Sequence, residues 1–283
     1  MTLQTLLQEA QSLHQAGRLA EAEGLYRRVL AQVPPNSQLQ HLLALVQFQQ
    51  QRHGEALASV AAALAINPEA SESLALKGAM LAATGRSDEA LILFGRALAL
   101  KPDLLDALYN RALLLTQMNR PAEAVTDFDR LLALAPAQVE AWVNRGVALQ
   151  QWAKLADAIA SYDRAIDLVP GHMHAWLNRG TALLALGRFA DALASFDKAL
   201  ALAQRQAGAW IGRGRAQMGL LRFEEALESY DTALEIVPGD AAALEQRAAL
   251  LETIKLLGDI PPGADALDVW QERGAVFQIT QRF

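Results

Sequence analysis

Three asparagines, Asn110, Asn144 and Asn178, are the side chains whose type and spacing best suit ligand binding. They follow one another at intervals of 34 residues. A carboxamide carries both a hydrogen-bond donor and an acceptor, so a row of them can hold the backbone of an extended peptide whatever its side chains. The alternative interpretation is that these asparagines are simply solvated. The regular spacing favours peptide capture.

Residue patterns typical of enzymes do not occur in this sequence. His172 and His174 suggest a metal pair, but side chains two residues apart diverge on a helix, and a turn followed by a helix start explains both. Gly212-x-Gly214 lacks the third glycine of the dinucleotide fingerprint and follows no strand. Neither a phosphate-binding Gly-Lys-Ser/Thr nor an HExxH motif is present. We therefore predict a protein without catalytic activity, cofactor or metal.

The asparagines lie in a pattern that repeats along most of the chain. Each copy holds two apolar runs at helical spacing, separated by a short break such as Thr84–Arg86, and prolines recur near the ends of copies. Small residues on both runs allow helices to cross closely, and one bulky residue per copy fills the remaining space. A fixed period of this length predicts an all-α solenoid of antiparallel helix pairs. Counting from the prolines gives seven units: 3–36, 37–70, 71–104, 105–138, 139–172, 173–206 and 207–240.

Composition narrows the class of partner. The formal net charge of −6 and the pI near 5.4 argue against a nucleic-acid partner. There is no cysteine, so no disulfide forms and a reducing compartment fits. The N-terminus resembles an amphipathic helix rather than a signal peptide, and no apolar run is long enough to span a membrane. We expect a cytoplasmic protein that contacts neither nucleic acid nor membrane.

The repeated positions resemble the tetratricopeptide repeat over roughly residues 3–257. They include the first-helix residues Ala44, Gly78, Ala112, Gly146, Gly180 and Gly214, the second-helix residues Ala90, Ala124, Ala158, Ala192 and Ala226, and the bulky residues Tyr26, Phe94, Phe128, Tyr162, Phe196 and Tyr230. One departure is an arginine where the family usually has leucine before the first-helix glycine. The resemblance implies a right-handed superhelix whose concave wall is lined by the first helices.

In proteins similar to this one, the concave wall holds peptides or neighbouring domains. Residues two, five, six and nine of each unit commonly face it, and the three asparagines are sixth residues. The resemblance thus implies a binding groove of Asn110, Asn144, Asn178, Tyr109, Glu140, Val143, His174, Leu177, Thr181 and Arg215. The family's carboxylate clamp for chaperone C-termini matches poorly, because Leu177, His174 and Gly212 stand where it needs Lys, Lys and Arg.

Two further series recur with the period. The arginines Arg111, Arg145, Arg179 and Arg213 are expected to pair with the aspartates Asp129, Asp163, Asp197 and Asp231, within or between repeats. Trp142, Trp176 and Trp210 are expected to pack between repeats rather than to stack on a ligand. Both series therefore predict structural ties.

The last copy is incomplete. A first helix is expected from about Ala241 to Leu257, where it caps the solenoid, and 258–283 forms either a docked cap or a frayed tail.

The preferred function is a non-catalytic scaffold that binds an extended peptide or partner domain. Two alternatives stay open. The chain could form a homo-oligomer through its terminal repeats or tail, or it could be the targeting arm of a glycosyl- or sulfo-transferase system.

Overall fold

The computed structural model describes residues 2–258, and every regular element in that range is an α-helix. The chain divides into two compact units, Met1–Pro136 (unit 1) and Ala137–Phe283 (unit 2). None of the described helices is long and apolar enough to cross a bilayer. The expected solenoid of helix pairs is confirmed, with fifteen helices in the described range that correspond to seven pairs and one capping helix.

Unit 1 contains four helix pairs. Its helices are α1 (Leu3–Gln15), α2 (Leu19–Leu30), α3 (Ser37–Gln49), α4 (His53–Ile66), α5 (Ser71–Ala83), α6 (Ser87–Leu100), α7 (Leu105–Gln117) and α8 (Pro121–Leu134).

Unit 2 contains three pairs and the capping helix. Its helices are α9 (Val139–Gln151), α10 (Leu155–Leu168), α11 (Met173–Ala185), α12 (Phe189–Leu202), α13 (Ala207–Gly219), α14 (Phe223–Ile236) and α15 (Ala241–Gly258). The predicted cap or tail at 258–283 lies outside the described residues, apart from Gly258 itself.

The turn inside each helix pair has the same geometry in all seven repeats. Its third residue has a positive φ, whether it is a glycine such as Gly187 (φ 70°) or a bulkier residue such as Leu221 (φ 60°). The next amide then bonds back across the helix end, as Arg188 N–H does to the Leu183 carbonyl at 2.9 Å. Because non-glycine residues also adopt the left-handed conformation here, the helix packing, and not the turn residue, dictates the turn.

The core depends on one large ring per repeat that meets a residue with little or no side chain. Phe196 of α12 is 1% exposed, and its ring lies against two glycines. Gly180 belongs to the first helix of the same repeat, and Gly212 to the first helix of the next. A Cβ at Gly180 would lie 2.8 Å from the ring, closer than atoms can pack. One aromatic ring therefore sets the spacing of two successive first helices.

Replacing Gly180 by alanine is expected to destabilise unit 2. The added methyl forces the buried Phe196 ring to move, which outweighs the gain in helix propensity and costs about 1–3 kcal/mol of unfolding free energy. Gly95→Ala is the matched control, because Gly95 is also helical but has nothing within 4 Å of an added Cβ. That variant should gain up to about 1 kcal/mol. Urea unfolding followed by circular dichroism measures both, and equal effects would contradict the ring-and-glycine contact.

Candidate functional site

The first helices of successive repeats contact one another within each unit. In unit 1, α3 contacts α5 and α5 contacts α7, while in unit 2 the contacts join α9 with α11, α11 with α13 and α13 with α15. Successive second helices show no comparable contact in the described part of the chain. Elements on the inside of a curve lie closer together than those outside it. The first helices therefore form the inner face of each unit.

The three asparagines lie on first helices, as predicted, but in different units. Asn110 is on α7 of unit 1, whereas Asn144 and Asn178 are on the contacting helices α9 and α11 of unit 2. All three are partly exposed. The carboxamides of Asn110 and Asn178 make no hydrogen bond with any described residue, whereas Asn144 has an interaction of its own. Asn110 and Asn178 thus keep donor and acceptor capacity for another molecule.

Four other predicted groove residues present polar or aromatic groups near the helix starts. Tyr109 is half-buried, and its ring meets Phe128 edge to face at 6.2 Å. Glu140 accepts a hydrogen bond of 3.0 Å from His172 Nε2, because His172 Nδ1 accepts the Ala175 N–H at the start of α11. His174 is exposed, with its ring 6.4 Å from that of His172. His172 is therefore a helix cap.

The remaining predicted residues differ in how much surface they offer. Val143 is only 5% exposed and belongs mainly to the core of unit 2. Leu177 is half-buried and packs on the cluster of Ala199, Leu200 and Ala209. The Thr181 hydroxyl is exposed but donates to the Leu177 carbonyl at 3.0 Å. Leu177 and Thr181 therefore line the α11 surface beside Asn178, whereas Val143 does not reach it to the same extent.

Arg215 lies farther along unit 2, on α13. It is half-buried, and its positive charge acts on the hydroxyl of Tyr230 in α14. In the described residues no group of three or more acidic or histidine side chains could hold a metal ion.

The arginine and aspartate series are joined between repeats in unit 2. Arg179 Nε donates to Asp163 at 2.6 Å and Arg213 Nε to Asp197 at 2.8 Å, each bond reaching back to the second helix of the preceding repeat. Arg247 of α15 extends the series to Asp231 at 2.5 Å. The guanidinium groups of Arg179 and Arg213 also donate forward, to Ser195 and Ser229 at 2.7 and 2.8 Å. Each arginine therefore ties its own repeat to the one before it.

Unit 1 uses a different partner for the first arginine of the series. Sixteen residues before Arg111, where the later repeats have aspartate, stands Gly95. Arg111 instead pairs with Asp127, which is 1% exposed and occupies the position that Ser161, Ser195 and Ser229 hold in later repeats. The serine position carried a readable signal, because it recurs sixteen residues after each arginine. The prediction of Asp129 as the general type of partner omitted it.

The tryptophans confirm a structural role. Trp176 and Trp210 pack on the Ala199, Leu200 and Ala209 cluster, which joins α12 to α13. Their indole N–H groups donate to carbonyls six residues earlier, at Pro170 and Gln204. Each ring also lies beneath the arginine of its own repeat, at 5.8 Å for Arg179 and 5.4 Å for Arg213. The indoles thus position the arginine ties.

Comparison with known proteins matches the repeat pattern. One tetratricopeptide repeat model matches residues 109–172, 153–209 and 177–241, and a second matches residues 13–80. No curated protein sequence matches significantly.

Solved structures are similar in fold. A tetratricopeptide repeat protein from Parabacteroides merdae ATCC 43184 is 21% identical, with a TM-score of 0.59 over 88% of this chain and 98% of its own. YrrB, described as a repeat protein with an unusual peptide-binding site, is 22% identical, with a TM-score of 0.60 over 67% of this chain and 97% of its own. PilW, a type IV pilus biogenesis factor, is 23% identical, with a TM-score of 0.65 over 74% and 97%.

Removing the Arg111 side chain is expected to be costly because it leaves the buried Asp127 carboxylate without its cation. Arg111→Met should lower the unfolding free energy by about 3–5 kcal/mol. Adding Asp127→Ser should recover most of the loss, because serine is the residue that later repeats use there. Arg188→Met removes an exposed pair, with side chains 54% and 50% exposed, and should cost less than about 1 kcal/mol. A loss at Arg111 no larger than at Arg188, measured by urea unfolding, would refute this account.

Proposed function

The chain belongs to the tetratricopeptide repeat family, and on that premise we propose that it is a non-catalytic scaffold which binds an extended segment of another protein along its first helices. The observation that carries the proposal is the open carboxamide of Asn178, on the inner face of unit 2. A half-buried amide with no internal partner loses hydrogen bonds to water when a partner covers it. It therefore favours a partner that replaces them.

Neighbouring side chains support a peptide rather than a small charged ligand. Next to Asn178, Leu177 offers an apolar surface, and Glu140 and His174 offer polar groups at the helix starts. Main-chain amides of a peptide would bond to Asn144 and Asn178, while apolar side chains would pack on Leu177. Affinity would come from the backbone and selectivity from the apolar contacts. In this proposal Asn110 makes the equivalent contact on unit 1.

The kind of partner follows from charge. With a net charge of −6, the protein repels polyanions, so a protein segment fits better than nucleic acid. A cytoplasmic location belongs to the same proposal.

Replacing Asn144 and Asn178 together by alanine is expected to weaken peptide binding. Peptides are first selected from a displayed random library on the wild-type protein, and their affinities are then measured by calorimetry. Losing two to three amide hydrogen bonds, each contributing about 1 kcal/mol, should weaken the dissociation constant about 30- to 150-fold. Helicity should not change, because neither side chain caps a helix.

Gln151→Ala is the matched control. Gln151 also carries a carboxamide and lies on α9, but it is exposed at the C-terminal end of that helix. Its removal should leave the affinity unchanged. An unaltered affinity in the Asn144 and Asn178 double variant, or an equal loss in the Gln151 variant, would refute capture by the inner-face asparagines. A library that yields no binding peptide would refute the proposed function itself.

A further inference from the structure

Two polar atoms inside unit 2 are buried without a hydrogen-bond partner. They are the Tyr230 hydroxyl oxygen and Gln246 Oε1. Tyr230 is fully buried, and no water-exposed edge of its ring remains. Buried polar groups are nearly always paired, so each exception in a native structure needs an explanation. Here both exceptions belong to the same end of the same unit.

Comparison between the repeats shows that the missing partner is specific to Tyr230. The hydroxyl of Tyr162 donates to Gln150 Oε1, and that of Tyr26 lies 3.4 Å from His14 Nδ1. Both partners stand twelve residues before the tyrosine. The residue in that place before Tyr230 is Met218, which offers no comparable acceptor.

The repeats with phenylalanine complete the comparison. Phe94, Phe128 and Phe196 have Ala82, Thr116 and Leu184 twelve residues earlier. Phenylalanine is thus the ring used where no internal polar partner is required by a hydroxyl. The seventh repeat keeps the hydroxyl and lacks the internal acceptor.

The repeat register places Gln246 beside Tyr230. Gly212 of α13 lies against the ring of Phe196, and both positions recur 34 residues later, as Gln246 of α15 and Tyr230 of α14. The contacts of α15 with α13 and α14 agree with this placement. On its other side, the Tyr230 ring faces Gly214, where an added Cβ would lie 2.5 Å from Cε1. We call the space around the Tyr230 hydroxyl and Gln246 Oε1 the Tyr230–Gln246 pocket.

The protonation state of the hydroxyl is clear from its surroundings. Burial raises the pKa of Tyr230 well above its usual value, and the nearby positive charge of Arg215 only partly opposes this. The hydroxyl is therefore a neutral donor at physiological pH. The pocket accordingly holds one donor, the tyrosine O–H, and one acceptor, the glutamine carbonyl oxygen.

We propose that the Tyr230–Gln246 pocket binds an amide group of a partner protein. The amide carbonyl accepts from the Tyr230 hydroxyl, and its N–H donates to Gln246 Oε1. A carboxylate has no donor for Gln246, and an ammonium group has no acceptor for Tyr230, so only an amide satisfies both atoms among the common groups of a protein. This inference rests on the proposed function and extends it to the C-terminal end of the inner face, where Gly212 replaces the asparagine of earlier repeats.

The test uses the full-length, isotope-labelled protein and three small probes followed by NMR. N-methylacetamide represents a backbone peptide unit, acetamide a side-chain carboxamide, and sodium acetate a carboxylate. In the wild type, one or both amides should give saturable shifts of the signals of Gly214, Tyr230 and Gln246, and acetate should not. A stronger response to N-methylacetamide identifies a backbone source, and a stronger response to acetamide a side-chain source. Either response supports the proposal.

Three variants assign the shifts to the pocket. Tyr230→Phe removes only the hydroxyl, and phenylalanine is already accommodated in three other repeats. Met218→Gln supplies the internal acceptor that Gln150 gives to Tyr162. Each should weaken amide binding about five- to tenfold, as expected for one hydrogen bond. Tyr162→Phe is the matched control, which should lower thermal stability but leave amide binding unchanged.

Several results would overturn the proposal. Absence of amide shifts in the wild type would mean that the pocket holds an internal water only. Equal binding of acetate, or amide binding that persists undiminished in the Tyr230→Phe and Met218→Gln variants, would also reject it. These outcomes are separate from the fate of the proposed function, since peptides can require Asn144 and Asn178 while the pocket binds no amide. Conversely, the pocket can bind amides in a protein for which no peptide is found.

Discussion

The structure depends on the insertion of one aromatic ring between the first helices of two successive repeats. A helix pair of this length cannot bury its apolar face alone, so it must use its neighbour. Phe196 shows how this happens, because its ring touches Gly180 in its own repeat and Gly212 in the next. Since interiors are close-packed, the ring determines how near the two first helices lie. The spacing of the inner face is therefore a consequence of core packing.

Polar ties then fix the orientation of the repeats. Arg179 and Arg213 each bond to an aspartate of the preceding repeat and to a serine of their own, beneath which an indole supports the guanidinium. Apolar contact alone is not directional, whereas these bonds hold only in one register. The first three repeats carry no such arginine. Instead, Glu23 joins Arg27, Gln50 and Arg52 in a partly buried network between the first two repeats. The two units thus stabilise their repeats with different polar chemistry.

The inner face inherits its chemistry from what the core leaves over. Asn178 keeps an open amide because neither the core nor the arginine ties require it. Position by position, the residue at this place also lies near the ring of the preceding repeat, as Gly212 does over Phe196. Binding capacity and packing therefore compete for the same position. Where packing needs no side chain at all, as at Gly212, the asparagine series ends.

The sequence by itself determined the helix pairs, their number and the small and large residues that meet in the core. These follow from a period of 34 residues, which demands the same local structure in every copy. It also predicted that the arginines and aspartates would be structural. It could not assign the partner of each arginine, because the choice between Asp127, Ser195 and the aspartates depends on distances between helices. Only the tertiary structure showed that Val143 is buried while Asn178 stays open, since neighbours from other repeats decide exposure. The same reason applies to Tyr230, whose hydroxyl lacks a partner only because Met218 stands where Gln150 stands in another repeat.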